Sequence, residues 1–395
     1  MTMPAVYIFP GGSGTWEMVR VFGRPLLEWQ LLWLARQGCT DVALLPGMGL
    51  ERIREYFRDG RRWNVSIRYA AGDGPGCVPG DEDACVILNG GMVFDVPLAW
   101  LIEYRRRSLA RDSVCCALKY AETAPPHGCV RVDASWAVCA RGAPERGQTD
   151  GYTDGGVYVA GSEFVSGAGI DRGLIDSAAL PGLLAARKLF GIPFGGGCLD
   201  IGHAGRRPPA DTPIETWLLG DKTPTLFLDR DGILIEDTGY VKAADGLVYD
   251  DRFFELSRKA SDKGFTVVVV SNQAGVAKGY IGVEDVEAVN RRILERFESF
   301  GVRPAGFYWC PYHEKGTRPE WTRRSLQRKP EPGMVLKAVG DHGIDPLRSL
   351  MVGDRDTDRI RLPYLRSFIV PGRHRAEAAG DVVDISAIEQ ALEAL

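Results

Sequence analysis

Five short apolar runs in the second half of this chain constrain its fold more than any other feature. They are Thr225 to Leu228, Thr266 to Val270, Gly306 to Trp309, Ser349 to Val352 and Ser367 to Val370. Their length and apolar content suit short buried strands. Between the second and third runs, Val286, Val289, Ile293, Phe297 and Phe300 recur at spacings of three and four, which predicts an amphipathic helix. Strands alternating with helices imply a doubly wound parallel sheet in an α/β fold. Ligands of such sheets bind beyond the carboxyl ends of the strands, and Asp229, Ser271 and Asp354 each follow an apolar run.

The first half has a similar rhythm. Ala5 to Phe9 reads as a strand and Pro25 to Arg36 as a helix rich in Leu and Trp. Val42 to Leu45, Val65 to Tyr69, Ala84 to Leu88 and Gly156 to Val159 read as further strands. The proline-rich stretch Arg206 to Pro213 separates the halves. At 395 residues the chain exceeds what one core usually serves. The expected division is a first domain over 1–205, a linker over 206–221 and a second domain over 222–395.

Composition excludes several classes. A net charge of −4 gives no basic footprint for nucleic acid. The apolar runs are too short to span a bilayer and the first residues do not read as a signal peptide, so a cytoplasmic protein without membrane contact is expected. Nine cysteines without a C-x-x-C pair suit reduced thiols, and the adjacent Cys115 and Cys116 suit core packing.

Four segments of the second half carry chemistry: Phe227-Leu-Asp-Arg-Asp-Gly232, Val270-Ser-Asn-Gln273, Arg328-Lys-Pro330 and Met351-Val-Gly-Asp-Arg-Asp-Thr-Asp358. Phosphate monoesters hydrolyse so slowly that an enzyme needs a nucleophile, an acid, a metal and a cation acting together, for accelerations of up to ~10²¹-fold. Asp229 suits the nucleophile that forms an aspartyl-phosphate. Asp231, two positions on, suits the group that protonates the leaving oxygen and then activates water. Ser271 suits a donor to a phosphate oxygen, and Lys329 suits the cation that offsets developing charge. Magnesium is the expected ion, with Asp229 and Asp354 as side-chain ligands and Asp231 counted with them at the metal.

This set of motifs resembles the haloacid dehalogenase superfamily of phosphatases over roughly residues 222 to 395. Within it, the chain looks most like the D-glycero-D-manno-heptose 1,7-bisphosphate 7-phosphatases, with histidinol phosphatases second. The finer resemblance rests on Asp237-Thr-Gly-Tyr-Val241, Ser271 to Gly279, Cys310-Pro311 and Arg328 to Met334. It implies substrate contact by Asp237, Thr238, Gly239, Tyr240, Ser271, Asn272, Gln273, Ala274, Arg328 and Arg355, and a small sugar phosphate as the partner. The gaps after Asp231 and Gly279 are short, so a capless, open site is expected. Relatives in that family usually carry a zinc loop. Here Cys310-Pro-Tyr-His313 shifts the histidine and Ser325-Leu-Gln327 stands where paired cysteines are expected. At most two ligands remain where structural zinc needs four, so zinc is not expected. Packing and hydrogen bonds must hold residues 314–327 instead, with Trp321 as the candidate anchor.

The first half resembles the sugar-1-phosphate nucleotidyltransferases, a Rossmann-like fold of the GT-A type. The resemblance rests on Gly11 to Thr15, Phe22 to Trp29, Leu88-Asn-Gly90, Gly155-Gly-Val-Tyr158 and Leu199-Asp-Ile-Gly202. Its catalytic parts are missing. Trp16 follows Thr15 where the family has an Arg, Glu17 to Phe22 is a shortened segment, and Gly91 stands where a metal-binding Asp is expected. The segment that helps hold the base is absent near Gly72 to Gly80, and Asp200 alone makes a poor magnesium site. The resemblance therefore implies a first domain without transferase activity, serving support, sugar-phosphate binding or homodimer formation. The alternative is a bifunctional heptose phosphatase and heptose 1-phosphate guanylyltransferase.

Overall fold

The fold is known from a computed structural model that describes residues 3–9, 18–45, 50–69, 84–145, 147–161, 179–201, 212–239, 246–372 and 382–395. The chain forms two compact units, one of residues 1–144 and 151–220, the other of residues 145–150 and 221–395. This differs from the expected division in two ways. Residues expected in a linker include the helix Ile214–Leu219, which belongs to the first unit, and Glu145–Asp150 belongs to the second.

In the first unit a mixed sheet is built around Val6–Phe9, which pairs in parallel with Asp41–Leu44 and Cys85–Asn89. Gly151–Ala160 runs antiparallel to Cys85–Asn89 and to Val114–Ala121. Leu189–Phe194 lies parallel to Val114–Ala121. Cys115 and Cys116 are buried in that strand, as core packing predicts. The sheet has strands that sequence patterning did not reveal, including Cys129–Val132 and Val138–Gly142, where charged and small residues interrupt any alternation.

The second unit is a five-stranded sheet in the order Gly306–Cys310, Thr266–Asn272, Thr225–Leu228, Leu350–Gly353, Arg366–Ile369. Every pair in it is parallel. Leu226 and Leu228 point into one apolar cluster with Phe253, Phe254, Val289, Ile293, Phe297, Ile388 and Leu392. That cluster collects the helices Asp251–Asp262, Val283–Ser299 and Ile385–Glu393. The longest has the predicted stripe, with Val286, Val289, Ile293 and Phe297 buried. Asp285 fixes its start by accepting a hydrogen bond from Gly282 N at 2.7 Å. The helix Gly333–His342 packs against Thr266–Asn272 and Gly306–Cys310. No described helix is long and apolar enough to cross a membrane.

Between Asp231 and the helix at Asp251, the described residues form only single bridges, Asp231 with Ile235 and Ile235 with Tyr249. No separate cap folds there among the described residues, and the carboxyl ends of the central strands stay accessible.

Candidate active site

Thr225–Leu228 is the central strand, so the residue after it emerges in the middle of the sheet's carboxyl edge. That residue is Asp229, whose N–H donates to Val352 O at 2.9 Å and whose side chain is buried. Lys329 approaches from the loop before the helix Gly333–His342. Its Nζ lies 2.7 Å from Asp229 Oδ1 and 2.6 Å from Asp358 Oδ1, and it donates to Val270 O at 2.9 Å. Asn272 sets this reach. Its Oδ1 accepts from Lys329 N and its Nδ2 donates to Lys329 O, both at 3.0 Å. The Asn272 amide thus clamps the Lys329 backbone.

Asp231 is oriented by three neighbours. Arg230, itself buried, grips both carboxylate oxygens at 3.0–3.2 Å. Gln273 Nε2 donates to Asp231 Oδ2 at 2.7 Å and to Ser271 Oγ at 2.7 Å, and Ser271 Oγ lies 3.3 Å from the same Asp231 oxygen. A second carboxylate–guanidinium pair, Asp237 with Arg355, closes another side, and Asp237 Oδ1 accepts from Gly239 N at 2.9 Å.

Asp354 packs where Gly232 leaves room. A Cβ at Gly232 would stand 2.4 Å from Asp354 Oδ2, and the backbone there has φ +90, so this position excludes any other residue on two counts. The carboxylates that converge are Asp229, Asp354 and Asp358, all buried, with one oxygen of each within 4.8 Å of the others. Asp231 is not among them, because Arg230, Gln273 and Ser271 hold its side chain elsewhere. The expected side-chain ligands Asp229 and Asp354 therefore stand together, with Asp358 beside them, while the Asp231 side chain turns away from that point. Three buried carboxylates beside one ammonium fit a hard divalent cation with oxygen ligands, and burying such a group without compensating charge is costly.

The electrostatics agree with that excess of negative charge. Burial and the Asp358 carboxylate push Asp229 up to about 8, with Lys329 pulling the other way. Burial alone would lower Lys329, yet Asp229 and Asp358 together raise it, so the ammonium stays charged.

A cavity of about 730 Å³ opens over these groups, a size suited to a small metabolite. Of the residues predicted for the site, Asp229, Asp231, Asp237, Thr238, Gly239, Ser271, Asn272, Gln273, Ala274, Arg328, Lys329 and Arg355 line it, and Tyr240 lies outside the described residues. Gly275, Lys278, Asp356 and Thr357 also line it and were not predicted. Asp358 ends the Met351–Asp358 motif and carries no expected role in the sequence reading; its spacing of four from Asp354 is the signal that could have found it.

Residues 314–327 are held as a loop by packing. Thr317 N and Arg318 N donate to Ala277 O at 2.8 and 3.0 Å. Trp321 packs against the buried cluster of Val276, Ile281 and Val286 and sits 5.6 Å from the Tyr312 ring. Burial pushes the Cys310 thiol up to about 12.

In the first unit, Asn89 Oδ1 accepts from Gly91 N at 2.9 Å, and Asp200 pairs in strand register with Met92. Asp154 is engaged by Arg141 at 3.2 Å and by the Tyr158 hydroxyl. Among the described residues Asp200 belongs to no cluster of three or more potential metal ligands.

The parallel sheet, its buried carboxylate–lysine centre and the cavity above it define a phosphomonoester hydrolase of the haloacid dehalogenase type. A family model described as HAD-hydrolase-like matches residues 326–360. The chain is 38% identical over 137 residues to D-glycero-alpha-D-manno-heptose-1,7-bisphosphate 7-phosphatase of Burkholderia mallei, covering 35% of this chain and 72% of that protein. It is 36% identical over 135 residues to D-glycero-beta-D-manno-heptose-1,7-bisphosphate 7-phosphatase of Yersinia pestis, covering 34% and 72%. Among solved structures it is similar to HddC from Yersinia pseudotuberculosis at 17% identity, with a TM-score of 0.44, covering 51% of this chain and 95% of that one. The chain belongs to the family of the D-glycero-D-manno-heptose 1,7-bisphosphate 7-phosphatases.

Proposed function

We propose that this protein removes the 7-phosphate of D-glycero-D-manno-heptose 1,7-bisphosphate through an aspartyl-phosphate on Asp229. The observation that carries this reading is the buried contact of Asp229 with Lys329 at the floor of the cavity. Asp229 attacks phosphorus, a new O–P bond forms, and the bond to the sugar oxygen breaks with its electron pair leaving on that oxygen. Asp231, reached from the same cavity, gives the leaving oxygen its proton. It then takes a proton from water, which attacks phosphorus, frees inorganic phosphate and restores the Asp229 carboxylate. Lys329 offsets charge on the phosphoryl oxygens, and Ser271 donates to one of them.

Asp229, Asp354 and Asp358 would hold the divalent cation, with magnesium favoured by an all-oxygen donor set. When bound, that cation supplies positive charge that keeps Asp229 ionised and polarises the phosphoryl group. Arg355 and Asp237 stand at the rim as groups for sugar hydroxyls or a second phosphate. We place the enzyme in the cytoplasm, where a phosphorylated sugar is available to it.

The first unit, on this reading, no longer transfers nucleotide. Gly91 offers no carboxylate beside Asp200, and the loss of a metal ligand disables a site more than loss of an outer-shell partner, which costs ~10–100-fold. The test is phosphate release with magnesium from both anomers of the heptose bisphosphate and from histidinol phosphate. Turnover of the bisphosphate at least tenfold more efficient than that of histidinol phosphate supports the reading; the reverse preference overturns it.

A further inference from the structure

One buried carboxylate outside the reaction centre is engaged by the loop that delivers Lys329. Asp150 lies in the short segment Glu145–Asp150 of the second unit, although in sequence it stands just before the strand Gly151–Ala160. It is 2% exposed, and its Oδ2 accepts hydrogen bonds from Ser325 Oγ at 2.7 Å and Leu326 N at 2.8 Å. Ser325 passes this on: its Oγ accepts from Gln327 N at 3.1 Å and its carbonyl from Arg328 N at 3.2 Å. Leu326 O accepts from Gly333 N at 2.6 Å, closing the turn on the other side. The residues leading into Lys329 are thus wound around a single carboxylate.

Burial pushes Asp150 up, while the hydrogen bonds from Ser325 and Leu326 pull it back. Its Oδ1 is buried with no hydrogen-bond partner among the described residues. A buried acid in such a place is costly, and replacing it with an apolar residue would strand the Ser325 hydroxyl and the Leu326 N–H as well. Glu145 adds a weaker tether, 3.6 Å from Arg324 on the exposed side.

We propose that Asp150 is a positioning residue for catalysis, holding the turn Ser325–Arg328 so that Lys329 reaches Asp229 and Asp358. A segment from the first half of the sequence thereby becomes part of the phosphatase. The inference rests on the phosphomonoester hydrolase reading and is indifferent to which sugar phosphate is the substrate.

The experiment uses the full chain with Asp150→Ala, Asp150→Asn and Ser325→Ala. It reads kcat and KM with magnesium on p-nitrophenyl phosphate and on the heptose bisphosphate, together with hydrogen exchange of residues 325–333. Asp150→Ala should lower kcat on both substrates ~10–100-fold, the range for removing a group that orients a functional side chain, with KM changed much less. Asp150→Asn, whose amide oxygen still accepts both bonds, should recover most of the rate, and Ser325→Ala should fall between. Exchange should quicken in 325–333 and stay unchanged in the strands Thr225–Leu228 and Leu350–Gly353. Wild-type kcat in a folded Asp150→Ala protein, equal losses in the Asn and Ala variants, or faster exchange throughout the second unit would each overturn the proposal. If Asp150→Ala does not fold, Ser325→Ala decides: wild-type kcat and wild-type exchange in 325–333 overturn it. If the wild type hydrolyses neither substrate, the functional reading fails, and exchange in 325–333 alone still decides whether Asp150 holds this turn.

Discussion

The carboxyl edges of the two sheets make an instructive contrast. In the second unit the central strand Thr225–Leu228 runs into Asp229, and the next strand, Leu350–Gly353, brings Asp354 and Asp358 to the same point. In the first unit Cys85–Asn89 runs into Gly90 and Gly91, and Asn89 turns its side chain onto the Gly91 N–H. The second unit's edge is parallel throughout, whereas Cys85–Asn89 pairs in parallel with Val6–Phe9 and antiparallel with Gly151–Ala160, and among the described residues the cluster of three carboxylates stands in the second unit. Fold supplies the location and side chains supply the chemistry, so likeness of architecture does not carry activity from one half to the other.

The sharpest way to break this contrast is to disable the richer edge. Asp229→Asn should cut phosphate release by ~10⁴-fold or more in steady-state assays while thermal melting shows a folded protein. Asp231→Asn should cost ~10²–10⁴-fold in kcat, as expected for one acid–base group, with a smaller change in KM. A residual rate near wild type in either variant would place the chemistry elsewhere.

Cation binding gives an effect on stability that needs no substrate. Magnesium should raise the melting temperature of the wild type by mass action, and a chelator should reverse the rise. Asp354→Asn or Asp358→Asn should flatten that response, whereas substitution of Asp200 in the first unit should leave it intact. At the rim, Arg355→Ala should raise KM roughly tenfold with little change in kcat, about the effect of one lost charge-assisted hydrogen bond.

The smallest effect concerns His313, whose imidazole is held below its ordinary 6.5 by partial burial and by the positive charge of Arg328 and Lys278. An NMR titration should find it neutral down to a lower pH than a free histidine. A phosphate dianion bound among those cations should move the midpoint back upward.

Much of the second unit was legible because its strands are continuous apolar runs and its motifs fall at their ends. Thr225 to Leu228 was read with the bounds it has, and the helix stripe from Val286 to Phe297 holds. Roles that depend on side-chain direction were not legible. Asn272 and Gln273 sit in the predicted segment, but one clamps the Lys329 backbone and the other orients Asp231. Asp358, four residues after Asp354, reaches the same point only because a tight turn of residues 356–358 brings it back. Asp150 was invisible because its partner Ser325 lies 175 positions away, and no local pattern records such a contact. In the first unit, Val114–Ala121 and Leu189–Phe194 escaped notice although both are buried, since Cys, Ala, Gly and Pro within them weaken any strand signal.

The central claim is that the chain has one functioning catalytic centre, at Asp229. Its most direct test is simultaneous measurement of inorganic phosphate and pyrophosphate from wild-type protein supplied with heptose 1,7-bisphosphate, magnesium and a nucleoside triphosphate. Rapid phosphate release that Asp229→Asn abolishes, with pyrophosphate at the no-enzyme level, is the predicted result. Pyrophosphate formed in step with phosphate, and persisting from heptose 1-phosphate in the Asp229→Asn variant, would contradict it.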